Sequence, residues 1–167
     1  MSHTTFASPR TTVTAAPLAA VIEWLGWATE PFPGARRAID GPDVHVVATG
    51  RLGSPNSSFD VYSTVRHLSA RNAADGGTRS LVTVLEGPLS ASERALEDRL
   101  RHTLQHLDDF DDGPWDDAVV RSLDGAEHAF SVGGEAWSVE LLHPQSPHVA
   151  RRSPWPVLVV RPLPTRS

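Results

Sequence analysis

The sequence predicts a single α+β domain, a mainly antiparallel sheet of about five strands with helices packed against it. Three observations carry this. Runs with helical and with strand-like spacing of apolar residues are interleaved along one domain's length, 167 residues. Two strand-like runs, His128–Val132 and Ala136–Leu142, are separated only by Gly133-Gly134, a hairpin signal. No internal repeat or second composition regime divides the chain.

Residues 1–16, rich in Thr, Ser and Ala, read as a disordered tail, and 17–167 as the domain. Pro17 suits a first helical position, and Leu18, Val21, Ile22 and Leu25 share a face, so Leu18–Thr29 is predicted helical until Pro31 and Pro33. Val44–Thr49 is a short strand, Leu52–Ser58 a loop, and Asp60–Ala74 a helix ended by Asp75-Gly76-Gly77. Ser80–Leu85 reads as a buried strand. Ser90 and Glu93 have the spacing of a capping box, and Leu96, Leu100, Leu104 and Leu107 then recur on one helical face. Arg94–Asp98 and Glu97–Arg101 are i,i+4 pairs that support this helix, which should stop near Phe110. The remaining strands are the hairpin and Pro156–Val160.

Composition narrows the chemistry. Net charge is −5 and all 15 basic residues are Arg, with no basic run, so nucleic acid is not an expected partner. Cys is absent, which removes disulfides and thiolate chemistry. No stretch approaches the roughly 18 apolar residues of a membrane span, and the N-terminus does not read as a secretion signal. A cytoplasmic location is the default expectation. Trp24, Trp27, Trp137 and Trp155 leave room for a homodimer, although Trp is more often a core residue.

Chemistry must then come from His, carboxylates, Arg, hydroxyls or a cofactor. His102 and His106 have metal-ligand spacing but lie opposite the leucine face, where a solvated pair is the better reading. His45 alternates with Val44 and Val46, which by itself is more often structural. The turn before the last strand is richer. His143 ends a strand there, Pro144 and Pro147 stiffen the chain, and His148, Arg151 and Arg152 follow before the last strand, and strand-end loops commonly present binding groups. Two imidazoles and two guanidiniums suit an anionic ligand. The plainer reading is a solvated basic turn pairing with the acidic loop Asp108–Asp117.

The order of motifs resembles the YqcI/YcgG family, which includes heme-dependent N-hydroxylases of the guanitoxin pathway and related arginine N-hydroxylases. Pro31-Phe32-Pro33-Gly34-Ala35-Arg36 resembles its N-terminal element, with Gly34 where the family has Cys. Ser80–Pro88 with the following helix resembles its strand–Gly-Pro–helix unit. Leu104-Gln105, Leu107 and Asp111, followed by Pro114-Trp115, are similar to a further motif. Phe130-Ser131, Gly133-Gly134, His143-Pro144 and His148, Arg151, Ser153 resemble the run into the last strand. The resemblance implies heme b, dioxygen as co-substrate, and oxidation of a guanidino or amino nitrogen on a small amino-acid-like substrate. It implies a histidine on iron, His148 first, then His143, with His45 a distant third. Arg151 and Arg152 would meet the propionates, and Asp111 would support the imidazole or pair with a cationic substrate. The alternative is a non-catalytic heme- or small-ligand-binding protein on the same fold.

Overall fold

The computed structural model describes residues 3–6, 43–119 and 128–164. Six strands form one sheet: β1 (His3–Phe6), β2 (Asp43–Arg51), β3 (Ser80–Gly87), β4 (His128–Val132), β5 (Glu135–Leu142) and β6 (Val157–Pro162). Their spatial order is β1-β2-β3-β6-β5-β4. Two helices, α1 (Pro55–Asp75) and α2 (Glu93–Phe110), complete the described elements with one 3-10 turn at Val149–Arg151. The expected α+β class holds. Pairing from β3 through β6 and β5 to β4 is antiparallel, whereas β1, β2 and β3 run parallel.

The parallel pair has a simple cause. Helix α1 lies between β2 and β3 in sequence, and parallel neighbours need a crossover of that kind. Part of the segment expected to be a disordered tail, His3–Phe6, instead adds a strand beside β2. The expected helix at Leu18–Thr29, with Trp24 and Trp27, and the Pro31–Arg36 motif lie outside the described residues.

Helix α1 begins earlier than its apolar spacing predicts. Ser54 is the N-cap, its hydroxyl accepting from the Ser57 amide at 3.3 Å, and Pro55 takes the first helical position. Pro55–Ser58 is therefore helix rather than loop. Gly76 closes the helix in the left-handed conformation, φ 70°, and its amide donates to the Asn72 carbonyl. In α2 the cap is Ser92, which accepts from the Ala95 amide at 3.2 Å, so the Ser90/Glu93 box is not the one used and Glu93 becomes the first helical residue. Arg101 reaches Glu97 at 3.9 Å as expected, and also takes Asp98 at 2.6 Å.

Strand alternation builds two apolar layers. Val47, Leu81, Leu85, Trp137, Val139, Leu158 and Val160 face both helices, meeting Val61, Val65 and Leu68 of α1 and Leu96, Leu100 and Leu107 of α2. Each fully buried leucine there contributes on the order of 2 kcal/mol. Trp137 is wholly buried, a core residue. Val44, Val46, Ala48, Val82, Val84, Leu142, Val157 and Val159 are buried on the opposite face, with Trp155 packed on them. Between the helices, His106 accepts or donates at 2.9 Å to the Ser58 hydroxyl and stacks on Phe110, while His102 is exposed. The two do not form the solvated pair that their spacing suggests.

Candidate functional site

The end of β5 delivers His143 into the layer between sheet and α2. Its amide donates to the Arg151 carbonyl at 3.1 Å, and its carbonyl accepts from Ser146. These bonds fold the segment back before β6. The 3-10 turn starts at His148, and the Arg151 amide returns to the His148 carbonyl at 2.9 Å. Arg152 Nε donates to the Ser146 carbonyl at 2.7 Å, and Ser146 Oγ accepts from the His148 amide. The backbone of this turn is thus largely satisfied from within.

The histidines separate sharply. His143 is 4% exposed, and its Nδ1 is buried without a hydrogen-bond partner. His148 is exposed. Burial lowers the His143 pKa, opposed by the negative charges of Glu93 and Glu97, so the ring is neutral near pH 7. A neutral buried imidazole with an open nitrogen can act as a ligand or as a base.

His143 lines a cavity of about 60 Å³ with Glu93, Glu97, His128, Ser146 and Arg151 among its other walls. Glu93 and Glu97 come from the first turns of α2 and His128 from the start of β4, which pairs with Val139. Sequence reasoning weighed neither His128 nor this use of the two glutamates. Their signal was available only through the sheet register, which sets His128 and His143 on one cavity.

The other expected residues distribute as follows. Arg151 is half-buried at the cavity, and Arg152 is exposed, turned onto Ser146. Asp111 caps the C-terminal end of α2, and its carboxylate accepts from the Gly133 amide at 3.2 Å. Gly133 precedes β5 whereas His143 follows it, so at about 3.3 Å per residue the two ends lie roughly 25 Å apart. The structure does not bring Asp111 to either histidine. The acidic loop likewise sits at that far end, where Arg66 pairs with Asp112 at 3.0 Å, rather than against Arg151 and Arg152. His45 is buried on the helix-facing side of β2, its Nε2 without a partner and its pKa lowered by burial.

An iron porphyrin would need a donor side chain for its iron and a slot for its ring. The donor chemistry of His143 fits the first. The second is not met by the cavity, whose volume of about 60 Å³ holds only a few waters. Among the described residues no group of three His, Asp or Glu side chains is placed to hold a metal ion, a demand that a single axial imidazole does not make. No described helix is long and apolar enough to cross a membrane.

No curated protein and no solved structure matches the chain significantly. The family model of the YqcI/YcgG family matches residues 21–164, a span that includes α1, α2, β2 to β6 and the whole His143 cavity. On that match, the chain belongs to the YqcI/YcgG family.

Proposed function

We propose that this protein is a heme-dependent oxygenase that oxidises a guanidino or amino nitrogen of a small amino-acid-like substrate, with His143 as the iron ligand. Family membership carries the reading, and the buried Nδ1 of His143 without a partner supports it, although the space of about 60 Å³ beside that ring would have to widen to admit a porphyrin. His143 replaces His148 as first choice because His148 is exposed, and an exposed imidazole cannot keep water from the reacting centre. Heme b, when bound, supplies the oxygen activation that side chains cannot. The chain's own part is to hold the imidazole by the His143–Arg151 backbone bond and to set a guanidinium, Arg151, beside it for a carboxylate.

The size of the enclosed space favours a second reading, a small-ligand-binding protein on the same fold without porphyrin. A hemin titration followed by its visible spectrum separates the two. The first reading expects a Soret band that His143→Ala abolishes and His148→Ala leaves in place, with oxygen-dependent turnover of arginine-like compounds. No band in the unaltered protein ends it. A band without turnover leaves a heme-binding protein that is not an oxygenase.

A further inference from the structure

Strand β4 ends the spatial order of the sheet, and among the described residues no strand lies on its outer side. Its pairing with β5 fixes which backbone groups face that way. The Gly133-Gly134 turn joins Val132 to its register partner Glu135, and Ser131 stands opposite Ala136. Ala136 directs its backbone away from β4. Its carbonyl accepts from the Leu163 amide at 2.8 Å, and its amide donates to the Asp116 carboxylate at 3.1 Å. In an antiparallel ladder, opposed residues that exchange no bonds both turn their amides and carbonyls outward. Ser131, and Ala129 two residues before it, therefore present N–H and C=O groups on the outer side of β4.

Among the described residues these groups have no backbone partner beyond the strand. Yet Ser131 is only 4% exposed, and its hydroxyl is fixed by accepting the Asp116 amide at 3.1 Å. A donor and an acceptor left open on so buried a residue are what an added strand satisfies. The edge also lacks common guards: it contains no Pro and no Arg, and its register with β5 runs without a bulge.

A groove of about 220 Å³ runs beside these groups, between α2 and β4. Leu104 and Phe130 line it, and the indole of Trp115, 51% exposed, offers a further apolar wall. The border carries negative charge. Asp108 lines the groove, and Asp109 and Asp117 are exposed on the helix and loop that flank it. Arg101, the cation of the lining, is already held by Asp98 at 2.6 Å.

We infer that the outer edge of β4 docks an extended segment of a partner protein, one carrying Arg or Lys on both sides of an apolar residue. The partner backbone pairs with Ala129 and Ser131, its apolar side chain enters the groove against Trp115 and Leu104, and its cations meet Asp108 and Asp117. A second copy of this chain fits less well, because β4 on β4 would bring two sets of the same carboxylates together.

The probe is the peptide acetyl-Thr-Arg-Thr-Val-Thr-Arg-Thr-amide, whose alternation puts both Arg and the Val on one face. With the full chain it should cause saturable shifts of the Ala129 and Ser131 amide and Trp115 indole resonances in ¹⁵N–¹H spectra. The same peptide with its three central amides N-methylated cannot pair, and a version with Glu for both Arg reverses the charge. Each should bind at least tenfold more weakly. Ala129→Pro removes an outward donor and leaves the β4–β5 bonds in place, as an edge strand tolerates, and should weaken the peptide as much. Asp108→Asn, at an exposed helix position on which folding does not depend, should weaken it severalfold. Absence of saturable shifts, equal binding of either control peptide, or undiminished binding in folded Ala129→Pro or Asp108→Asn overturns the inference. So does a dimer that shifts the same amides without peptide, which would give the edge to a second copy.

Discussion

Asp111 ends helix α2 through its backbone amide, which donates to the Leu107 carbonyl, and its carboxylate holds the amide of Gly133 at 3.2 Å. One side chain thus ties the helix end to the β4–β5 turn, where Gly133 and Gly134 both have positive φ, 64° and 78°. Tyr62 of α1 also donates to it, at 3.5 Å. The side chain is 8% exposed, and Arg66 Nη1 also approaches it at 3.8 Å.

Replacing Asp111 by Ala should therefore cost stability, about 0.5–1.5 kcal/mol, because the bond to the Gly133 amide is lost while that exposed amide can turn to water. Urea denaturation measures this. The hemin spectrum should not change, because the joint is at the opposite end of β5 from His143. A spectral change at unaltered stability would assign Asp111 to the iron site instead.

Ser92 and Ser90 make a matched pair for testing the start of α2. Ser92→Ala removes the acceptor for the Ala95 amide and should destabilise the fold by about 1 kcal/mol. Ser90→Ala should change the melting temperature little. Equal losses from both would return the cap to Ser90.

Stability should fall as pH drops from 7.5 to 5.5. Burial lowers the folded-state pKa of both His143 and His45 below the ordinary value of 6.5. Between the folded and unfolded pKa values the unfolded chain binds more protons, so stability is greatest above 6.5 and declines as pH falls through it. His143→Gln should shrink this decline, and the double variant with His45→Gln should shrink it further. Urea midpoints at the two pH values decide it, and a decline of undiminished size in both variants would remove the histidines as its cause.

Local spacing made much of this fold legible. Leu96, Leu100 and Leu107 are buried and Leu104 packs beside them, because a 3.6-residue period leaves few other ways to hide four leucines. The Gly133-Gly134 hairpin was equally plain. Other features depended on distant partners. Pro55–Ser58 lacks apolar spacing, and it is helical where Ser58 is buried and bonded to His106, 48 residues on. The parallel β2–β3 pair and the insertion of β6 between β3 and β5 are choices of partner, which no local period encodes. The same limit applied at the candidate site. His143 and His148 are alike in sequence, each in a Pro-flanked turn, and the end of β5 together with the backbone bond from His143 to Arg151 sets one of them inward.

Strand β5 is an interior strand, paired to β4 over Glu135–Val139 and to β6 over Trp137–Leu142, and so cannot slide without breaking both ladders. Its two ends therefore behave as fixed posts. A disturbance at the Gly133 end has no route to the His143 end by strand slippage.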